Sequence, residues 1–325
     1  MSGLRRVWLS SPTPSSCPPL TTPNSILYNA SFGIYNPYTD TLDVHAFPNY
    51  TLNRDFHVGG VAWDPYTGLA SVIIGQGNAF ETRGVNISGT NVITKYNPLT
   101  KSFLWALNIT DVAQGHYGGF NDIAHDAQGN TYVCGTFPAS ILKIDPKGQA
   151  ITEWVPPVKP VNQTIRGYSG IVYVPKGNSI LVLDSLLGKL FRFDASLSAP
   201  VPVRVPHTPD SPITGGDAIR LPPKYNNTVL LIAENARGVS VLRSKAGDWN
   251  TGVEYLGLIK KEGFGLPEGA LTTSIVQIGD DKIYAVTDWF TDPIVSGTVA
   301  GGREVFPMVD ITGLVDGLVS GDGKF

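Results

Sequence analysis

Residues 118–135, GGFNDIAHDAQGNTYVCG, decide the fold. The stretch opens on paired glycines, runs through an apolar segment, turns at Gly129 and Asn130, and enters a second segment of β-branched and aromatic residues. That pattern is a strand, a tight turn and a returning strand. The unit recurs along the chain: GGVAWDPYTGLASVII opens at Gly59, YSGIVYVPKGNSILVLDS at Tyr168, GGDAIRLPPKYNNTVLLIAEN at Gly215 and PEGALTTSIVQIGDDKIYAVTD at Pro267. Self-similarity with a period of about fifty residues marks a repeat architecture.

Each copy is followed by a more polar hairpin, such as VITKYNPLTKSFLWAL from Val92 or ILKIDPKGQAITEWV from Ile141. Two hairpins in series make a four-stranded blade, so the chain is predicted to be an all-β, six-bladed β-propeller with four-stranded blades. The segment FGIYNPYTDTLDVHAF from Phe32 matches the outer hairpins and not the inner ones. The chain is therefore expected to start in mid-blade, and both termini to close the ring on a shared sixth blade, which removes unpaired edges. Residues 25–28 and 315–320 are the candidate inner strands of that blade. Residues 1–23 are expected to form a proline-rich segment ahead of a single propeller domain over 24–325.

Composition agrees with many short strands and tight turns: 325 residues hold 36 glycines and 25 prolines, with 16% charged residues. A net charge of −3 without long runs gives no basic stripe for nucleic acid and no polybasic patch for anionic lipid. No stretch has the roughly 18 consecutive apolar residues of a spanning helix, so no membrane insertion is expected. The opening MSGLRRVWLSSP lacks an apolar signal core and reads as a mature or engineered start. Six Asn-x-Ser/Thr sequons, at Asn29, Asn49, Asn86, Asn108, Asn162 and Asn226, suggest a glycosylated protein of the secretory pathway or the extracellular space. Cys17 and Cys134 are too far apart for a CxxC motif, which leaves a long-range disulfide or two thiols. A secretory setting favours the disulfide.

In a propeller the starts of the innermost strands and the ends of the second strands converge on one mouth of the central channel. That places the carboxylates Asp217, Glu234, Glu268 and Asp288 there, with the amides of Asn121 and Asn235 and the imidazoles of His57 and His116. The aromatic residues Phe80, Tyr117, Phe120, Phe137, Tyr168, Trp289 and Phe290 join them. Polar groups in an apolar concavity suit a small hydrophobic ligand, although Asp and Asn at strand ends also cap turns. His125 falls within a strand and suits a packing role; His45 and His207 fall on outer hairpins and suit the surface. Trp105 and Trp154 are expected as wedges between blades.

The segment FNDIAHDAQGNTYVCGT, from Phe120, resembles the FND motif of calcium-dependent gluconolactonase-like propellers. In that family a Glu, an Asn and an Asp from different inner strands hold a metal. Asn121 keeps the FND position and Asp217 of GGDAIRL matches the metal aspartate, whereas Ser169 stands where the asparagine is expected and no glutamate stands near Gly59. The resemblance thus implies the fold and argues against a bound metal. FNDIAHD, the YNP hairpins and the GGDAI start also resemble a fungal group of sequon-rich propellers from secondary-metabolite clusters, including a trichothecene-cluster protein and hetero-Diels-Alderases of tropolonic sesquiterpenoid pathways. That resemblance implies a cofactor-free cycloaddition between a tropolone o-quinone methide and a humulene-type alkene. Its chemistry needs orientation of two apolar partners and a donor to the quinone-methide oxygen. Asn121, Tyr117 and His116 are the expected donors, and Asp217 and Glu268 the acid and base for making the heterodiene. Phe80, Phe120, Phe137, Tyr168, Ser169, Glu234, Asn235, Trp289, Phe290 and His57 are expected to contact the substrate. A metal-dependent hydrolase and a non-catalytic metabolite-binding propeller are the alternatives.

Overall fold

The structure is a computed structural model and describes residues 6–8, 22–26, 30–36, 38–39, 41–53, 55–290, 292–293 and 306–321. The chain is an all-β propeller whose strands fall into six sheets. The first contains β1 (Arg6–Trp8), β2 (Thr22–Ile26), β3 (Ser31–Asn36) and β4 (Thr41–Ala46). The second contains β5 (His57–Asp64), β6 (Leu69–Gly75), β7 (Asn91–Asn97) and β8 (Ser102–Asn108), with the short helix α1 (Asn78–Glu81) between β6 and β7. Helix α2 (Ile109–Ala113) leads to the third sheet, β9 (Gly118–His125), β10 (Thr131–Phe137), β11 (Ser140–Ile144) and β12 (Ala150–Val155). The fourth is β13 (Tyr168–Val174), β14 (Ser179–Asp184), β15 (Lys189–Asp194) and β16 (Val203–Val205). In the fifth, β17 (His207–Thr208) runs parallel to the outermost strand of β18 (Gly216–Arg220), β19 (Val229–Glu234), β20 (Gly238–Ser244) and β21 (Val253–Lys260). The sixth has β22 (Leu271–Ile278), β23 (Lys282–Asp288) and β24 (Met308–Asp310), followed by α3 (Thr312–Ser320).

The expectation of six four-stranded blades therefore holds for five full sheets, and the last has three strands among the described residues. The expected shared blade is corrected. Every strand of the first sheet is N-terminal, and residues 315–320 lie in α3, where Val315 is buried against β19 to β23. These residues coil into a helix, with Ile311 and Val315 in the apolar cluster shared by the fifth and sixth sheets. Arg6–Trp8, within the segment expected to precede the propeller, is a strand paired with β2.

The core lies between sheets, not within them. Leu183, Leu190 and Val205 of the fourth sheet pack on Ile219, Leu230 and Leu242 of the fifth. Tyr132, Cys134 and Trp154 of the third pack on Ile171, Val182 and Phe193 of the fourth. Trp154 is the expected wedge, 1% exposed and 4.8 Å from the Tyr132 ring. His45 and His207 are not surface residues: His45 stacks on Phe32 and Tyr96 and meets the Tyr96 hydroxyl at 2.8 Å, and His207 is buried with Nδ1 at 2.9 Å from the Pro209 carbonyl.

Inner strands of neighbouring sheets approach so closely that a side chain does not fit. A Cβ on Gly170 would lie 2.5 Å from the Asp217 carbonyl oxygen and 2.7 Å from the Ile219 nitrogen, and one on Gly60 would collide with the Asn121 carbonyl. Both obstacles are backbone. Gly170→Ala is expected to destabilise the fold by about 1–3 kcal/mol, seen as a lower urea midpoint, with Asp217 displaced in a crystal structure of the variant.

A buried ion pair ties the end of β5 to β7: Lys95 Nζ lies 2.8 Å from Asp64 Oδ2, and both side chains are almost fully enclosed. Burial alone would raise the Asp64 pKa, but the charge and hydrogen bond of Lys95 bring it below the ordinary value. Lys95→Met leaves that carboxylate uncompensated, with an expected loss of about 3–5 kcal/mol in equilibrium denaturation.

Candidate functional site

All five described inner strands from β5 to β22 carry a β-bulge at the same level. In β9, Asn121 and Asp122 stand opposite the single residue Cys134. In β18, Asp217 and Ala218 stand opposite Ala233, and in β5, Gly59 and Gly60 stand opposite Ile73. Ser169 in β13 and Thr273 in β22 are the extra residues of their ladders. A bulge re-aims side chains and is common beside active sites. Here it gives a belt of polar residues, Asn121, Asp122, Ser169, Asp217 and Thr273, on four of the strands and a glycine pair on β5.

The belt is held by bonds that cross from blade to blade. Asn121 Nδ2 donates to the Ser169 carbonyl at 2.7 Å and to Asp217 Oδ1 at 3.4 Å. From the end of β19, Asn235 Nδ2 donates to Asp217 Oδ2 at 3.0 Å and to the Thr272 carbonyl at 3.1 Å. The two carbonyls fix the orientation of both amides, because a flip would set oxygen against oxygen. Ser169 Oγ donates to the carbonyls of Gly216 and Asp217, fastening β13 to β18. Its hydroxyl is a clasp between inner strands.

Asp217 is the electrostatic centre of this group. Burial pushes its carboxyl above the ordinary carboxylate range; the Asn235 and Asn121 amides and the charge of Arg166 pull it down without cancelling that effect. A carboxyl that keeps its proton to higher pH is suited to donate to a substrate oxygen. One carboxylate flanked by two amide NH2 groups is a hydrogen-bonding cluster.

The neighbouring belt residue Asp122 serves another purpose. Its carboxylate accepts from Arg220 at 2.9 and 3.3 Å and from the amides of Ile123 at 2.9 Å and Ile171 at 3.3 Å. This pair was not foreseen in the sequence. The signal was present as the pairs Gly59–Gly60, Asn121–Asp122 and Asp217–Ala218, which interrupt two-residue alternation in three of the five copies.

The remaining expected site residues divide sharply. Glu234 is fully buried and saturated by Thr214 N at 2.7 Å, Arg237 at 2.8 Å and the Ser240 hydroxyl, so it anchors the loop before β18. Glu268 is exposed on the rim, where its carbonyl accepts from Trp289 Nε1 at 3.0 Å, and it is not part of the Asp217 cluster. Asp288 is buried and accepts from Trp289 N at 2.6 Å. His116 is exposed; His57 is half-buried, and burial pushes its pKa down to about 4, so it is neutral near pH 7.

Most of the expected aromatic wall is core. Tyr117 and Phe120 meet edge to face between the second and third sheets, and Tyr168 meets Phe193 between the third and fourth. Phe137 is buried against Phe80, and Trp289 against Phe306. Phe80 and Phe290 keep exposed faces, at 41% and 48%. Loops on this side also expose Val85, Val158, Ile165, Leu186 and Leu187, giving the mouth an apolar rim built from loop tips. Sequence periodicity carries no signal for single apolar residues in irregular loops.

The expected disulfide is not supported. Cys134 is a free thiol, fully enclosed in the core between the third and fourth sheets, and its Sγ lies 3.6 Å from the carbonyls of Asp122 and Ser169. Burial raises its pKa, which makes it inert. Cys17 lies outside the described residues, as does Asn29. Of the other sequons, Asn49, Asn86, Asn162 and Asn226 are exposed, whereas Asn108 is half-buried and caps α2 through Thr110 N. No helix among the described residues is long and apolar enough to cross a membrane.

No protein-family model matches the chain. Among solved structures, the major allergen Mala s 1 of Malassezia sympodialis shares the fold, with a TM-score of 0.72 at 19% identity, covering 94% of this chain and 91% of that one. Core trichothecene cluster protein 14 of Fusarium sporotrichioides is 32% identical over 309 residues, 90% of this chain and 79% of that protein. Trichothecene biosynthesis protein 14 of Trichoderma arundinaceum is 34% identical over 313 residues, 91% of this chain and 83% of that protein. At that identity and coverage, this propeller belongs to the trichothecene cluster protein 14 family.

Proposed function

We propose that the chain is a cofactor-independent biosynthetic enzyme of fungal secondary metabolism, acting on apolar substrates at the Asn121, Asp217 and Asn235 cluster. The finer reading is an intermolecular hetero-Diels-Alder cycloaddition between a tropolone o-quinone methide and a humulene-type sesquiterpene alkene. The observation that carries the site is Asp217, a carboxyl with a raised pKa held by two amides at the belt of bulges. The names of the two trichothecene-cluster relatives support a biosynthetic setting. The apolar loop tips support substrates of low polarity.

In this reading a protonated Asp217 donates to the quinone-methide oxygen, stabilising the negative charge that gathers there as the dihydropyran forms. The mouth holds diene and alkene together, and orientation supplies much of the acceleration. Formation of the heterodiene from a hydroxymethyl tropolone fits the same group. Asp217 gives its proton to the departing hydroxyl, which leaves as water. The ring O–H electrons move into the new exocyclic system, and that proton returns to the carboxylate. One carboxyl then serves both directions, and the rim residue Glu268 is not required.

The architectural part of the proposal is a six-bladed ring in which the three-stranded sheet is the last blade, meeting the first through Tyr35 packed beside Val276 and Val286. Exposure of Asn49, Asn86 and Asn162 supports glycosylation in the secretory pathway.

Asp217→Asn keeps the shape of the cluster and removes the acid. With trapped quinone methide and humulene, the variant is expected to lose about 100-fold or more in turnover; turnover equal to the unsubstituted protein would overturn the role. Stability is expected to move the other way. The folded state holds the Asp217 proton above the ordinary value of 3.8, so it binds more protons than the unfolded chain in the interval above that value. Stability therefore falls as pH rises through that interval. Asp217→Asn is expected to lack this decline and to be the more stable protein at neutral pH, as measured by urea denaturation across a pH series.

A further inference from the structure

The channel has a second end. A cavity of about 460 Å³ lies where the inner strands finish, on the far side of the belt from the rim. Every inner strand from β5 to β22 contributes to its wall, through Trp63, His125, Tyr173, Arg220 and Val276 among others. The volume falls within the roughly 300–1,000 Å³ of small-molecule pockets. Tyr66 and Tyr173 meet edge to face in its wall, with ring centres 6.1 Å apart.

The wall's chemistry selects the ligand. Arg220 is the cationic side chain of the wall, and its charge is matched by Asp122. His125 is buried, with Nε2 at 2.9 Å from the Ser71 hydroxyl, and burial keeps its ring neutral. The Gln277 amide is spent on Lys224 N and on the carbonyls of Gly279 and Asp280. An ionised ligand would lose hydration with no countercharge to meet it. The Arg220 bonds to Asp122 and to its neighbour's carbonyl leave part of its donor fork over, enough to meet one ligand oxygen.

We propose that this cavity is a binding site for an uncharged, mainly apolar small molecule carrying a hydroxyl or carbonyl oxygen, the oxygen facing Arg220 and the hydrocarbon lying against Tyr66, Tyr173 and Trp63. The site is separate from the Asp217 cluster. Asp122 shares its bulge with Asn121, and the Asp122–Arg220 pair stands between the two ends of the channel.

Farnesol, a neutral sesquiterpene alcohol, serves as the probe in isothermal titration. Binding with one-to-one stoichiometry is expected. Tyr66→Ala removes an aromatic face at a half-exposed turn, and its Kd is expected to rise about fivefold, the equivalent of roughly 1 kcal/mol for an aromatic contact. Asp217→Asn is expected to bind as the unsubstituted protein does, so this test and that of the mouth fail independently. A diazirine analogue of farnesol, photolysed on the unsubstituted protein, checks the placement without relying on any variant. Label is expected on peptides holding residues 62–66, 171–175 or 220–227. Label confined to residues 117–121 and 234–235, an affinity lost in Asp217→Asn and kept in Tyr66→Ala, or no binding up to the solubility of farnesol would each overturn the proposal.

Discussion

A regular β-strand sends successive side chains to opposite faces, so no regular strand brings both Asn121 and Asp122 to its neighbours in the ring. The bulge opposite Cys134 lifts that restriction: Asn121 reaches Ser169 and Asp217, and Asp122 reaches Ile171 and Arg220. The same extra residue in β5, β13, β18 and β22 makes this a property of the ring and not of one blade. Close approach completes the arrangement. Because Gly60 and Gly170 carry no Cβ, the neighbouring inner strands come near enough for side-chain amides to bond across them.

Such a belt places polar groups where water is scarce, and the three acidic residues nearest to it resolve that cost differently. Glu234 is saturated by three donors and one positive charge. Asp122 is paired with a guanidinium and two backbone amides. Asp217 receives two neutral amides and only a more distant charge, so desolvation prevails and the proton is held more tightly. Its desolvation is thus less fully compensated than that of the other two.

The repeat was legible because each blade spends its apolar residues in the same rhythm, and the inner hairpins opening at Gly59, Gly118, Tyr168, Gly215 and Pro267 appear as β5–β6, β9–β10, β13–β14, β18–β19 and β22–β23. Asn121, Asp217 and Asn235 were legible as strand-end polar residues, and they do converge. Which carboxylate matters was not. Glu234 and Asp217 sit at paired ends of one hairpin, and only the positions of Thr214 and Arg237 in the loops and of Ser240 on the neighbouring strand show that Glu234 is satisfied. The aromatic residues misled for a related reason. In a propeller the core lies between blades, so a ring such as Tyr168 or Phe120 near the mouth turns sideways into the neighbouring sheet instead of toward the axis. The C-terminal segment misled because α3 and a strand present similar apolar spacing over so few residues.

The two ends of the channel thus differ in kind. At the rim, apolar groups are exposed on separate loops around the polar cluster of Asn121, Asp217 and Asn235. At the far end, aromatic rings and prolines line an open-mouthed cavity whose single guanidinium is already matched by Asp122. Alternation along the inner strands produces both. Above the bulges the side chains that meet across the ring are polar; beyond them regular pairing resumes, and Ile123, Ile171 and Ile275 return the surface to hydrocarbon. One local irregularity in each of the five inner hairpins from β5 to β23 therefore marks the boundary between the polar cluster and the apolar cavity wall.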